Sequence, residues 1–127
     1  MTNRQTAEWI RELCEEVIRE HPDEFKPLDE SIFTIAYLYH DVYKKKGDNE
    51  VLGECSLVSS SYRWTCPYDF TITFYKGIER LTPEQIKILA WHELKHAGTD
   101  KEKPYIKGHD LEDFREIIDM YGPYWSL

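Results

Sequence analysis

The sequence has few cysteines and no long apolar run, and each absence excludes a class of protein. Its three cysteines, Cys14, Cys55 and Cys66, form no C-x-x-C pair, which argues against a zinc ribbon, and their odd number argues against a disulfide framework. We expect reduced thiols; a Cys55–Cys66 bridge across a hairpin is the alternative. No stretch approaches a membrane span, and the first residues lack the apolar segment of a signal peptide. These absences predict a cytoplasmic protein with no membrane partner.

Basic residues are also fewer than acidic residues. The chain has 24 acidic and 16 basic residues and a formal charge of −8. Autonomous nucleic-acid binding is therefore not expected, because it normally requires a basic face. The basic run Lys44–Lys46 precedes the turn formers Gly47-Asp48-Asn49, which is typical of a solvated hairpin tip. An acidic surface is compatible with a metal site, since it raises the local concentration of cations. The sequence does not indicate an oligomeric state.

The length and the apolar patterning predict one α+β domain over residues 1–127. A second core would leave each half of the 127 residues marginally stable. The patterns predict an N-terminal helix, a three-stranded, mostly antiparallel sheet, a central helix and a C-terminal helix. Their approximate bounds are 5–20 for the first helix, 32–39, 51–59 and 68–75 for the strands, 83–96 for the central helix and 110–121 for the last helix. The first two strands are expected to pair as a hairpin, and the third to bury one face.

The central helix has strong signals at both ends. Thr82 is placed as the N-cap, Pro83 occupies the first helical position, and Gln85 completes a capping box. We expect the helix to run through His96 and to end at Gly98 as its C′ glycine.

The residues that carry chemistry lie in the last turns of this helix, in the segment His92-Glu93-Leu94-Lys95-His96. His92 and His96 are four positions apart, so their rings emerge on one face, where two imidazoles can bind one zinc ion. Glu93 is displaced by about 100° around the helix, beside the metal, where it can take a proton from water and return it to a leaving amine. The pattern therefore predicts a zinc-dependent peptidase that acts on a protein or peptide.

A catalytic zinc needs a third protein ligand and one open position. His109 is the leading candidate, because it follows His96 after a loop and stands at the start of the last predicted helix. Glu112 and Glu116 on that helix are the alternatives. Tyr62 and Tyr105 lie in loops that could supply a hydrogen bond to a developing oxyanion, and their spacing selects neither.

Several segments resemble the putative phage metallopeptidase family and, in layout, the wider SprT-like (Spartan-type) HExxH zincins. The segments that carry the resemblance are 68–72, 91–96, 108–114 and 121–125. The resemblance implies a small zincin-like domain that binds one zinc ion through His92, His96 and His109, with Glu93 as catalytic acid and base. The acidic charge and the lack of a zinc ribbon argue against the DNA-linked role of SprT-like proteins.

A second function fits the same motif. The chain could be a non-enzymatic interaction or regulatory module of a phage or mobile element, in which zinc only stabilises the scaffold. A closed site with four protein ligands would favour this alternative, because it leaves no position for a substrate.

Overall fold

The structure is a computed structural model that describes residues 5–30, 32–59, 61, 64–99 and 102–108. The helices are α1 (Glu8–Glu20), α2 (Lys26–Asp29) and α3 (Pro83–His96), and a 3-10 turn spans Lys76–Arg80. The strands are β1 (Gln5–Thr6), β2 (Ile35–His40), β3 (Lys44–Lys46), β4 (Asn49–Val51), β5 (Gly53–Leu57), β6 (Phe70–Tyr75), β7 (Ala97–Gly98) and β8 (Tyr105–Ile106). The predicted α+β class is confirmed, whereas the predicted last helix, 110–121, lies outside the described residues.

Four strands form the main sheet in the order β1-β2-β6-β5. β2 runs parallel to β6, and the β1–β2 and β5–β6 pairs are antiparallel. The expected pairing of the first two predicted strands is wrong, because β6 lies between β2 and β5. The basic run instead forms its own hairpin with β4, and Gly47 in its turn has a φ of 65°, a backbone conformation that glycine adopts without steric cost.

The central strand β6 is buried on both faces, and the prediction of one buried face is wrong. Phe70, Ile72 and Phe74 are fully buried as expected, but Thr73 and Tyr75 are only 2% and 1% exposed. The side chain of Lys44 lies against the second face, with its Nζ 3.3 Å from Tyr75 Oη. A strand that is buried on both faces is typical of the interior of a sheet. This burial agrees with the position of β6 between β2 and β5.

Helices α1 and α3 pack against each other and contribute to one hydrophobic core with the sheet. The buried residues of α1 are Ile10, Cys14, Val17 and Ile18. Leu94, between the two motif histidines, is 0% exposed, and deleting such a side chain typically costs about 2–5 kcal/mol of stability. The apolar residues of α3 therefore fix one side of the helix in the core.

The start of α3 is as predicted. The backbone N–H of Gln85 donates to Thr82 Oγ1 at 3.2 Å, and the N–H of Thr82 donates to Gln85 Oε1 at 2.9 Å. The end differs from the prediction. Ala97 is already extended (φ −74°, ψ 94°), and Gly98 has no positive φ but pairs with Tyr105 in the β7–β8 ladder. Gly98 is thus a strand residue and not a left-handed C′ glycine.

Two further expectations concern the cysteines and the membrane. All three cysteines are free, as expected, so Cys55 and Cys66 are not bridged. Within the part of the chain that the structure describes, no helix is long and apolar enough to cross a membrane.

Candidate metal centre

His92 and His96 face each other on adjacent turns of α3. Their Nε2 atoms are 3.3 Å apart, and their ring centroids are separated by 5.0 Å with the planes at 75°. Two nitrogens bound at about 2.0–2.1 Å to one tetrahedral zinc ion would be about 3.3–3.4 Å apart. The separation of the two Nε2 atoms therefore equals the separation that a shared ion requires.

The backbone carbonyl of Lys107 orients the His96 ring. It lies 2.7 Å from His96 Nδ1, and because a carbonyl can only accept, Nδ1 must donate the proton. In the neutral ring this leaves the lone pair on Nε2, the atom that faces His92. Metal-binding histidines are commonly held in this way, with the second nitrogen donating to a carbonyl or carboxylate. His96 thus has the tautomer of a metal ligand.

The β7–β8 ladder brings Lys107 to this position. Ala97 pairs with Ile106, and the N–H of Lys107 donates to the carbonyl of His96 at 2.7 Å. The Tyr105 ring lies across Gly98: a Cβ added there would be 2.5 Å from Tyr105 Cζ. A side chain at position 98 would push this ring away, so the glycine permits the ladder to close. Tyr105 therefore packs within the ladder, and Tyr62 lies outside the described residues.

Glu93 is buried where α3 approaches β5. It is 4% exposed, and a Cβ added at Gly53 would lie 3.4 Å from Glu93 Cγ and 3.2 Å from Phe74 Cδ1. A side chain at position 53 would therefore be in ordinary contact with Glu93 and in tighter contact with Phe74, so Glu93 lies directly against β5. The spacing of the motif predicted that Glu93 would project beside the histidines, but the neighbouring strand was not predicted.

The thiols near Glu93 are held in their neutral form. Burial first, and then the negative charge of Glu93, raise the pKa of Cys14 and of Cys55. Because the thiolate is the form that attacks carbonyls and binds metals, these shifts argue against both roles for the two cysteines. The candidate chemistry therefore rests on the histidines and the carboxylate.

Strand β5 ends the sheet on the side of Glu93. Tyr75 N donates to the carbonyl of Leu52, and Val58 N donates to that of Asp69, so the even-numbered residues of this segment bond to β6. Antiparallel pairing alternates, and the backbone groups of Gly53, Cys55 and Leu57 are directed away from β6. In the described part of the chain no further strand pairs with this edge, although the β7–β8 ladder lies close to β5.

The remaining predicted ligands lie outside the described residues; they are His109, Glu112 and Glu116. Among the residues that are described, no group of three or more His, Cys, Asp and Glu side chains is arranged to hold a metal ion. The structure therefore brings together His92 and His96, with Glu93 next to them in the helix, and the residues that it describes include no third ligand.

These features define a class: a small α+β domain whose H-E-x-x-H helix packs on a mixed sheet, with the glutamate against an antiparallel edge strand. The chain belongs to the family described as putative phage metallopeptidase, whose sequence profile matches residues 2–126. No curated protein and no solved structure matches the chain. Family membership implies a metal ion and a protein or peptide substrate in general terms. The likeness to SprT-like proteins stays a prediction.

Proposed function

We propose that the protein is a zinc-dependent peptidase that binds one zinc ion per chain through His92, His96 and His109. The observation that carries the proposal is the pair of Nε2 atoms at 3.3 Å, with the tautomer of His96 set by the Lys107 carbonyl. Two imidazoles in this arrangement fit a zinc ion in both distance and protonation.

The position of Lys107 supports His109 as the third ligand. Lys107 contacts His96 through both its N–H and its carbonyl. His109 follows only two residues later in the sequence. Of the three candidate ligands it is therefore separated from this contact by the shortest stretch of chain. Glu112 and Glu116 are the alternative ligands, and they lie further along the chain from this fixed point.

The chemistry combines the ion with Glu93. When bound, zinc would polarise the scissile carbonyl and lower the pKa of a water molecule. Glu93 first acts as a base and takes a proton from the attacking water. It then acts as an acid and gives this proton to the leaving amine. Its burial beside β5 keeps bulk water away from the carboxylate, and electrostatic interactions are stronger in such surroundings.

The edge of β5 supports a peptide as the substrate. The backbone groups of Gly53, Cys55 and Leu57 face away from β6, so an extended peptide can pair with them as an added strand. This edge borders Glu93, because Gly53 is the residue that Glu93 Cγ approaches. A peptide bound here would lie next to the proposed acid and base.

The test measures metal content and peptide cleavage separately. We expect about one zinc per chain, loss of zinc in His92→Ala, and a Glu93→Gln variant that keeps zinc but does not cleave a peptide library. His40→Ala is the matched control, because His40 ends β2 and packs on Tyr75, and it should retain zinc. His109→Ala, Glu112→Ala and Glu116→Ala identify the third ligand.

Two results would contradict the mechanism. Full turnover by Glu93→Gln would exclude Glu93 as the acid and base. Zinc held by four protein ligands, together with a library that stays intact with and without chelator, would favour the non-enzymatic module.

A further inference from the structure

Glu24, in the turn between α1 and α2, contacts two residues of α3 at once. Trp91 Nε1 donates to Glu24 Oε1 at 3.1 Å, and Lys95 Nζ donates to Glu24 Oε2 in an ion pair. Trp91 and Lys95 are each only 6% exposed, and Lys95 Nζ also lies 5.1 Å from the centre of the Trp91 ring. We call this three-residue contact the Glu24 clamp.

The clamp holds the two turns of α3 that carry the motif histidines. Trp91 directly precedes His92, and Lys95 directly precedes His96. The clamp residues are therefore also one turn apart, on a helix face about 100° from that of the histidines. One carboxylate thus fixes both turns from the side that faces α1.

The turn that carries Glu24 is itself well held. The N–H groups of Glu24 and Phe25 both donate to the carbonyl of His21 at 3.1 Å, and Phe25 is 3% exposed. The ring of His21 stacks on Trp91 with centroids 4.3 Å apart and planes at 12°. The carboxylate therefore acts from a fixed position and not from a freely moving chain.

Rotation of α3 is the motion that this contact opposes. Imidazole nitrogens project to about 6 Å from a helix axis, so a 10° rotation moves them by roughly 1 Å. Metal–ligand distances tolerate only about 0.2 Å. A small rotation of α3 would therefore move His92 and His96 together, relative to any ligand from another part of the chain. One ion could then no longer contact all of its ligands at the required distances.

We propose that Glu24 is a positioning residue for the metal centre and acts through Trp91 and Lys95 on the orientation of His92 and His96. This inference rests on the proposed zinc site. A merely structural contact between α1 and α3 would stabilise the fold without affecting the histidines. Lys87 provides that comparison, because its Nζ bonds Glu20 at 2.7 Å and Glu16 at 3.3 Å across the same two helices but nearer the surface.

The first experiment compares zinc affinity with stability in wild type, Glu24→Gln and Lys87→Met. Glutamine keeps an oxygen for Trp91 and removes the charge that pairs with Lys95. Zinc Kd is measured by competition with a chromogenic chelator, and stability by thermal unfolding of the metal-free proteins. A residue that hydrogen-bonds a ligand histidine directly typically contributes about 10- to 100-fold to metal affinity. Because Glu24 acts through neighbouring residues, we expect Glu24→Gln to bind zinc up to about 10-fold more weakly, and Lys87→Met to stay within about twofold of wild type. Equal affinities in the two variants would overturn the proposal.

A second experiment does not depend on zinc. Long-range ¹H–¹⁵N spectra of the metal-free protein report the tautomers and surroundings of the His92 and His96 imidazoles. Shifts of these signals in Glu24→Gln, but not in Lys87→Met, support the positioning role, and unchanged signals in both overturn it. If wild type binds no zinc, the proposed function fails, and these spectra still decide whether Glu24 orients the histidines.

The variant itself needs one precaution. Lys95 is buried, with a side chain only 5% exposed, whereas the Glu24 side chain is 31% exposed. Removing the carboxylate takes a charged partner from a buried ammonium group, which can destabilise the protein. If Glu24→Gln does not fold, the double variant Glu24→Gln/Lys95→Met removes both charges. Replacing a buried charge together with its partner often preserves stability, and the same comparison with Lys87→Met then applies.

Discussion

Replacement of Gly98 by alanine tests whether the contact between Gly98 and the Tyr105 ring stabilises the β7–β8 ladder that follows α3. The Cβ of an alanine would lie 2.5 Å from Tyr105 Cζ and 2.6 Å from Cε1 and Cε2. Carbon atoms in contact prefer about 3.5–4.0 Å, so the ring must move by roughly 1 Å or more. Overpacking of this kind costs about 1–3 kcal/mol. We expect the free energy of unfolding of Gly98→Ala to fall by this amount.

The same substitution should weaken metal binding. Tyr105 lies in β8, and the next residue, Ile106, pairs with Ala97. Any part of the ring displacement that is passed to the backbone of β8 moves the Lys107 carbonyl, which lies 2.7 Å from His96 Nδ1. Loss of such a hydrogen bond to a metal-binding histidine typically lowers metal affinity about 10- to 100-fold. Zinc competition on the folded variant measures this second effect.

Guanidinium denaturation provides the main assay, with Gly108→Ala as the matched control. A Cβ at Gly108 would meet no atom of the described residues within 4 Å, so this variant should stay within about 0.5 kcal/mol of wild type. Gly98→Ala combined with Tyr105→Leu should recover part of the lost stability, because the ring that clashes is absent. If Gly98→Ala were as stable as Gly108→Ala, the contact between Gly98 and Tyr105 would not be what closes the ladder.

Two further predictions concern stability alone. Thr82→Ala removes the acceptor for the N–H of Gln85 and should lower the free energy of unfolding by about 1 kcal/mol, measured with denaturant. Thr82→Ser is the control, because it keeps the hydroxyl. Equal losses in the two variants would contradict the capping role. Burial raises the pKa of the Tyr37 phenol above its ordinary value of 10.0, so its stabilising contribution is complete below pH 10 and is lost as the pH rises further. Between pH 9 and pH 11, Tyr37→Phe should therefore lose roughly 1 kcal/mol less stability than wild type, and parallel stability curves would refute this.

Local structure was predictable wherever neighbouring residues decide it. The capping box of α3 depends on Thr82 and Gln85, three positions apart, and both of its hydrogen bonds are present. The stop of α1 at His21-Pro22 is equally local, because proline disfavours helical backbone in the preceding residue. Gly98 shows the limit of this reasoning. Glycine after a helix usually adopts a left-handed conformation, but here the Tyr105 ring requires the missing side chain.

Strand pairing was the least predictable part of the fold. The turn formers at Gly47-Asp48 predicted a hairpin, and a hairpin is present, but it joins only β3 and β4. β2 and β5 instead pair with β6, which follows both of them in the chain. The choice is made by burial: β6 is covered on both faces, and no local pattern distinguishes a strand with two partners from a strand with one.

The sequence by itself determined the α+β class, the helix that carries the motif, and the family to which the chain belongs. It also determined that His92 and His96 emerge on one face, because helical geometry fixes the direction of residues four apart. The tertiary structure alone decided what surrounds them: the Lys107 carbonyl on His96, Gly53 of β5 against Glu93, and Glu24 on Trp91 and Lys95. These contacts join residues between 11 and 71 positions apart. They depend on how the whole chain packs, which no local spacing contains.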